Sequence, residues 1–456
     1  MSGVILLKDV SEGVVRIYGR VHRIRATGKI CFIVLRDQIY SVQCVVRGEK
    51  FKGVKKILPE TLVVVTGEVV KLPDHVKSVE STSHKRFEID VSGIEIIGVP
   101  DPNLPFTLED VNLLYGCLDR NKVMLNTRLD NRAFDLRAPF NNCVFKIQSA
   151  VTRLFREALF ALDFMEIHSP KIIGSSSEGG AAMFKVDYFG KGAFLAQSPQ
   201  LYKQMCINSD FKRVMEVGPI FRAENCISHR HLCEFTGLDL EMALTPDHSG
   251  KFSYYEIIET FWNTLVHIFD NLKIMCSDQL AYITSIYSFE ELKYPSKPLI
   301  ISFKEGIAML HAAGAEQKDL EDLSTKNEKI LGDLVKTKYG ADVFVLDKYP
   351  KDARPFYTMI SEEDPLYSNS YDVIMRGQEI SSGAQRIHCP KKLLERMEEL
   401  KLNATNFSDY LQSFRYGSPP HGGCGFGLER IVMLYLNLSN IREVSLYPRD
   451  PSRSTP

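Results

Sequence analysis

Five runs rich in Val, Ile and Phe crowd into the first hundred residues, and their order constrains the fold more than any other feature of the chain. They are GVVRIYGRVHRI, ICFIVLRD, YSVQCVV, TLVVVTGEVV and FEIDVSGIEIIG. Each has the composition of a strand. A short basic segment, KFKGVKKIL, falls between the third and the fourth, and KSVESTSHKRFE reads as a polar loop before the last. Three strands, one helix and two strands is the order of an OB-fold barrel, which often binds single-stranded nucleic acid.

Charge supports that reading. Residues 1–100 carry 16 Lys and Arg against 11 Asp and Glu, although the whole chain has a net charge of -1. A polybasic coat is excluded, but a local basic surface falls on the one module whose fold suits nucleic acid. Phe32 and Gln43 lie on the second and third runs. An exposed Phe there can stack on an unpaired base, worth roughly 1–3 kcal/mol, and a core position for Phe32 fits the sequence equally well.

The 456 residues leave room for two or three domains. Hydrophobic residues at 44% and charged residues at 25% are ordinary for a soluble globular protein. No apolar run approaches the roughly 20 residues of a membrane helix, and the first residues lack the pattern of a secretory signal. The ten cysteines form no CxxC pair. Cys226 and Cys233 flank His229 and His231, but that spacing fits no common zinc finger, so reduced thiols are expected.

Residues 1–100 are thus expected to form the barrel, 101–139 a linker or hinge, and 140–456 a large second domain. VPDPNLPF, at the head of the linker, should be extended. The second domain opens with a long amphipathic helix, FKIQSAVTRLFREALFALDF, whose apolar residues Phe145, Val151, Leu154, Phe155, Leu159 and Leu162 recur at helical spacing. MEIHSPKII follows as a short strand carrying Pro170, which suits an edge or an interface. Later strands mix with helices, which makes an α+β domain with a mixed, mainly antiparallel sheet flanked by helices.

Chemistry is concentrated in four segments. RVMEVGPIFRAENCISHRHLCEFTGLDLEMAL reads as a hairpin. Arg222 and Glu224 share one face of its first strand, Asp239 and Glu241 one face of its second, and His229, Arg230 and His231 fill the loop. GGCGFGLERIVML reads as a glycine-rich turn entering a helix, with Glu429 and Arg430 in its first turn. An Arg at the positive end of a helix dipole is unfavourable unless an anion arrives there too. YDVIMRGQEISSGAQRIH supplies Glu379, Ser382 and Arg386, and a carboxylate with a hydroxyl can ligate Mg²⁺. AQSPQLYKQ supplies Gln200 and Lys203. No GxxxxGK[ST] phosphate loop is present.

Taken together, these segments resemble the class II aminoacyl-tRNA synthetases. FRAE and RHL look like motif 2, GLER looks like motif 3, and the long helix with Pro170 looks like motif 1. An OB-fold ahead of such a catalytic domain is the layout of subclass IIb. SSSEGGAAMF, QSPQLYKQ and GAQRIH resemble the aspartyl branch, in its eukaryotic and archaeal form. The resemblance implies activation of L-aspartate with ATP and Mg²⁺, transfer to tRNA(Asp), a homodimer formed through motif 1, and a cytoplasmic protein of translation with no membrane association.

It also implies residue roles. Arg222, Glu379 and Arg430 would be catalytic. Ser177, Glu178, Gln200, Lys203, Arg222, Asp239, Ser382 and Arg386 would hold aspartate, with Lys203 and Arg386 as cations for its side-chain carboxylate. Arg222, Glu224, Arg230, His231, Leu232, Glu379, Gly427, Leu428, Glu429 and Arg430 would bind ATP. Glu379 and Ser382 would hold Mg²⁺. Phe32, Gln43 and Glu88 would read the anticodon. The alternatives are an asparagine enzyme on the same scaffold, a non-catalytic RNA-binding relative, and an ammonia-using amide ligase.

Overall fold

A computed structural model describes residues 3–48, 51–54, 56–113, 123–174, 183–225 and 227–456. The chain divides into two units, Met1–Cys143 with Asp278–Ser288, and Val144–Ser277 with Phe289–Pro456.

In the first unit the five runs form β1 (Gly13–Thr27), β2 (Ile30–Asp37), β3 (Tyr40–Arg47), β4 (Leu62–Lys71) and β5 (Phe87–Gly98), with α1 (Phe51–Val54) between β3 and β4. They close into a barrel in the order β1-β2-β3-β5-β4. Alternation sets the inside: Cys31, Ile33 and Leu35 of β2 and Val42, Cys44 and Val46 of β3 are all buried in one core. Beyond the barrel, α2 (Leu108–Leu113), α3 (Leu125–Asp130) and α4 (Arg132–Asp135) occupy the stretch expected to be a linker. Its proline-rich head, 99–106, has no regular element. The helices have their own small core of Phe106, Leu108, Val111, Val123 and Ala138. Asp135, fully buried, pairs with Arg128 at 2.8 Å and with Arg132. A buried charge triad and an apolar cluster fix this segment in a way its composition does not reveal.

In the second unit the long helix, α5 (Pro139–Phe160), starts six residues before the first residue of the expected stretch, at a proline, the residue suited to a first helical position. It begins in the first unit and continues into the second. Leu162, expected on its apolar stripe, lies past its end and is exposed. The strands are β6 (Met165–Glu166), β7 (Ile172–Ile173), β8 (Lys185–Tyr188), β9 (Lys191–Leu195), β10 (Arg213–Phe221), β11 (Glu234–Ala243), β12 (Ile300–Ser302), β13 (Val343–Asp347), β14 (Ser370–Met375), β15 (Gln378–Gln385) and β16 (His421–Gly427). Pro170 lies in no strand; it sits between β6 and β7.

Eight of these strands form one sheet, ordered β12-β13-β14-β15-β16-β11-β10-β6. The outermost pairings, β12 with β13 and β10 with β6, are parallel, and the inner ones are antiparallel. The chain's helices continue with α6 (Gln200–Asn208), α7 (Tyr255–Met275), α8 (Ser277–Ile286), α9 (Phe303–Ala312), α10 (Thr325–Tyr339), α11 (Pro390–Glu399), α12 (Ser408–Arg415) and α13 (Leu428–Tyr435), of which α8 falls largely in the first unit. The glycine-rich stretch, expected to be a turn, is the central strand β16. It passes into α13 without a loop, because Gly427 is the helix N-cap.

Candidate active site

The floor of the site follows from the register of β11 against β16. Asp239 stands opposite Gly425, and Glu241 opposite Gly423. A Cβ on Gly425 would lie 2.5 Å from Asp239 Oδ1, and one on Gly423 would strike Glu241. The glycines therefore make room for two carboxylates on the neighbouring strand. Leu238, Leu240 and Met242 fill the opposite face of β11. Alternation thus separates charge from core as expected, but the charged face is buried: Glu241 is 0% exposed and Asp239 8%.

Burying two carboxylates requires partners. Lys203 of α6 puts Nζ 3.1 Å from Asp239 Oδ1 and 3.3 Å from Glu241 Oε2. Arg386, just past β15, donates from Nε to Glu241 Oε1 at 2.9 Å and from Nη2 to Oε2 at 3.2 Å. Nη2 also reaches the Gly423 carbonyl at 3.0 Å and Gln200 Oε1 at 3.3 Å. Burial pushes the Glu241 carboxyl up, but Arg386 and Lys203 outweigh it and hold the group below its usual range. Burial opposes the Arg386 charge, and Glu241 more than offsets that. The two cations expected to wait for a substrate carboxylate are therefore already shared with Glu241, to which the sequence reading gave no role. Its place two residues from Asp239 was the available signal. Gln200, Asp239 and Arg386 border the open cleft, whereas Lys203, 2% exposed, is not among its lining side chains.

The other end of the same cleft is lined by Arg222, Glu224, Arg230, His231, Leu232, Glu379, Ser382, Gly427, Glu429 and Arg430. The first hairpin strand ends at Phe221, so Arg222 and Glu224 stand in the loop rather than on a strand face. The Arg222 amide still donates to the Cys233 carbonyl at 2.9 Å, and its guanidinium stands 5.5 Å from the Phe235 ring centre. Arg430, in the first turn of α13, donates to the carbonyls of Glu379 at 2.9 Å and Arg230 at 3.2 Å. Burial, then Arg230 and Arg222, lower its pKa, against the pull of Glu379. His231 is likewise lowered, by burial and then by Arg430, and lies 2.6 Å from the Ser228 hydroxyl through Nδ1.

Two expected nucleotide contacts are otherwise engaged. Both Glu429 carboxylate oxygens accept from the Thr236 amide, at 3.1 and 3.2 Å, and burial pushes this carboxyl up to about 7. Leu428 is buried and does not line the cleft, because the helix turns it toward the core.

Glu379 and Ser382 are three residues apart, which in a regular strand puts them on opposite faces. The pairing of β14 with β15 shifts register here: Val373 faces Ser381, whereas Ile374 faces Glu379. The extra residue, Ile380, is a β-bulge, and it lets Glu379 and Ser382 line one cleft. Burial, then repulsion from Asp372, pushes the Glu379 carboxyl up to about 7, opposed by Arg430 and Arg354. Arg354 and Asp372 were missed. Arg354 lines the cleft, donates to Ser382 Oγ at 2.8 Å and pairs with Asp372 at 2.8 Å. It lies in a segment without a recognisable motif. As hard oxygen donors, Glu379 and Ser382 suit Mg²⁺, which takes one or two protein oxygens beside phosphate oxygens. Among the described residues, no three His, Cys, Asp or Glu side chains gather to chelate an ion by themselves.

Ser177, Glu178 and Cys226 lie outside the described residues. Phe32, Gln43 and Glu88 are in the first unit, away from the barrel core. Phe32 alternates with inward Cys31 and Ile33, is half-buried, and has the Arg25 guanidinium 5.3 Å from its ring centre. Gln43 and Glu88 face each other across the parallel pairing of β3 with β5, and the Gln43 amide donates to the Glu88 carboxylate.

A cleft with Asp239 and Arg386 at one end, backed by buried Lys203 and Glu241, and three arginines with oxygen donors at the other, sits on a central antiparallel sheet. Residues 124–451 match the family described as tRNA synthetases class II (D, K and N), and residues 15–97 match the OB-fold nucleic acid binding domain. The chain belongs to the class II tRNA synthetases of the D, K and N group. Within that group it is 44% identical to the cytoplasmic aspartate–tRNA ligase of Mus musculus, over 99% of this chain and 91% of that one. It is 43% identical to aspartate–tRNA ligase 1 of Arabidopsis thaliana, with 99% and 85% covered. The aspartyl-tRNA synthetase structure from Entamoeba histolytica superposes with a TM-score of 0.88 at 41% identity, over 98% of this chain and 90% of that one. An asparaginyl-tRNA synthetase from Pyrococcus horikoshii, bound to asparaginyl-adenylate, superposes at 0.85 with 27% identity and full coverage of both. The fold alone therefore does not separate the two amino acids.

Proposed function

We propose that the protein is an aspartate–tRNA ligase: it joins L-aspartate to ATP as aspartyl-adenylate with release of pyrophosphate, then transfers the aspartyl group to the 3′ end of tRNA(Asp). The observation that carries this reading is the buried set of Lys203, Arg386, Asp239 and Glu241. Two cations face two carboxylates before any substrate arrives. A substrate ammonium takes Asp239 as its counter-ion, and the two cations then share Glu241 alone. The side-chain carboxylate of aspartate restores the balance. The amide of asparagine leaves a buried positive charge uncompensated, which costs several kcal/mol.

Catalysis is then positioning and charge stabilisation, with no side-chain nucleophile. Arg222 bridges the substrate α-carboxylate and the α-phosphate of ATP, so that the carboxylate attacks phosphorus as pyrophosphate leaves. Arg230, His231 and Arg430 meet the triphosphate. Glu379 and Ser382 would hold Mg²⁺, which would supply positive charge beside the phosphates. The resemblance also assigns Ser177, Glu178 and Gln200 to the aspartate, and of these Gln200 lines the cleft. Phe32, Gln43 and Glu88 read the anticodon on the barrel; their outward setting and the fixed Gln43 amide support that role. Exposed Phe160, Leu162 and Met165, at the end of α5 and on the edge strand β6, offer an apolar surface to a second copy, which supports a homodimer. The relatives' names support a cytoplasmic location, and no helix among the described residues is long and apolar enough to cross a membrane.

The test is ATP–pyrophosphate exchange with aspartate, asparagine or lysine and no tRNA. Exchange with aspartate alone is expected, and exchange driven by asparagine would overturn the reading of the charge set. Arg222→Ala is expected to lower aspartate-dependent exchange by about two to three orders of magnitude while the thermal unfolding midpoint persists.

A further inference from the structure

Arg230 is a pocket cation whose side chain is already tied down. Its Nη2 donates to Thr325 Oγ1 at 2.7 Å, and its Nη1 lies 3.3 Å from Glu328 Oε2. Thr325 and Glu328 both belong to the first turn of α10, which Ser324 caps by accepting from the Asn327 amide. Glu328 also accepts from the Glu379 backbone N–H, so one carboxylate joins the loop after β10 to the start of β15. The pair is partly exposed, at 23% for the Arg230 side chain and 13% for Glu328. Burial raises the Glu328 carboxyl, and Arg230 is the strongest opposing influence.

Arg222 and Arg430 border the same cleft as Arg230. Three guanidinium groups around one cavity repel one another, and an anion beside one of them offsets that cost. A carboxylate and a hydroxyl set against a guanidinium fork also present the same kind of oxygen acceptors as a phosphate group.

We propose that Glu328, with Thr325, is a positioning residue for ATP: it holds the Arg230 fork at the cleft wall and yields it to the triphosphate. The proposal rests on the ATP reading of the cleft given above. The two N–H groups that meet Thr325 and Glu328 cannot also meet a phosphate, so a triphosphate gripped by that edge of the fork displaces the resting pair. The freed carboxylate then faces phosphate oxygens of like charge. Glu328 therefore lowers the affinity for ATP while fixing the Arg230 side chain through Thr325 and its own carboxylate.

Aspartate-dependent ATP–pyrophosphate exchange by the full chain tests this. In Glu328→Gln the KM for ATP is expected to fall about five-fold, the upper end for a partly exposed ion pair, while the KM for aspartate does not follow. Thr325→Val, a smaller change, is expected to move the KM for ATP in the same direction by less. In an Arg230→Lys background, where no fork exists to be held, Glu328→Gln is expected to lower the KM for ATP by distinctly less, because only the relief of like-charge repulsion remains. A purely structural role for Glu328 would persist in that background. An unchanged KM for ATP in Glu328→Gln and Thr325→Val, or an equal fall with Arg230 replaced, overturns the proposal. Absence of exchange in the unaltered chain would instead overturn the ATP reading itself.

Discussion

His421 illustrates how a single residue outside the cleft ties its parts together. It is fully buried at the start of β16, and its carbonyl accepts from the Arg386 amide at 2.8 Å. Its ring lies 2.8 Å from the Pro419 carbonyl through Nδ1 and 3.2 Å from Gln204 Oε1 through Nε2. Gln204 follows Lys203 on α6, so the ring couples the strand to the helix that carries the buried ammonium. Burial lowers the imidazole from 6.5 to about 4, although Glu241 pulls the other way. The native state therefore refuses a proton that the unfolded chain accepts. Stability from this group is intact above about pH 6.5 and is lost as pH falls toward 4, by about 3 kcal/mol at 1.36 kcal/mol per unit. Unfolding free energy measured across that window is expected to fall less steeply in His421→Asn than in the unaltered protein. Parallel curves would show that another group carries the acid sensitivity.

At the scale of elements, β16 and β15 carry the lesson about what the sequence could tell. Local rules read GGCGFG as a turn, because glycine breaks regular structure. The cause of its glycines lies across the sheet, where Asp239 and Glu241 need their space. Gly425→Ala would drive a methyl group against Asp239 and is expected to reduce aspartate-dependent exchange by about two orders of magnitude. Exchange within a few-fold of the unaltered chain would mean that Asp239 does not need its present position. The alternation on β11 was visible in the sequence, and so were the barrel strands, whose inward and outward residues alternate along each strand although β1 pairs with β4 and β3 with β5 across the barrel. The bulge at Ile380 was not, since it depends on how two strands pair. Arg354 and Glu328 were also hidden. They lie in segments with ordinary composition, and only tertiary contact brings them to the cleft or its arginine.

At the scale of the whole molecule, charge and chemistry are divided along the chain. The excess of positive charge lies in residues 1–100, and the buried carboxylates and arginine cluster lie far downstream. Recognition of nucleic acid and formation of the adenylate should respond to different substitutions. Phe32→Ala is expected to weaken tRNA(Asp) binding about ten-fold, the scale of one lost stacking contact, and to leave tRNA-independent exchange unchanged. A parallel loss of exchange would show that the barrel residue supports the fold rather than the RNA. The division is nevertheless not a simple cut. Residues 278–288 group with the N-terminal unit, where Asp278 accepts a hydrogen bond from the Tyr40 hydroxyl at 2.9 Å and Tyr282 lies close enough to Arg36 to act on its charge. A gene recombination event with one crossover near residue 143 would deliver a barrel without those partners and leave them stranded in the recipient. Exchange of this module between lineages therefore needs three coordinated junctions, after residue 143 and on both sides of 278–288, which makes inheritance of the chain as a single block the easier evolutionary route.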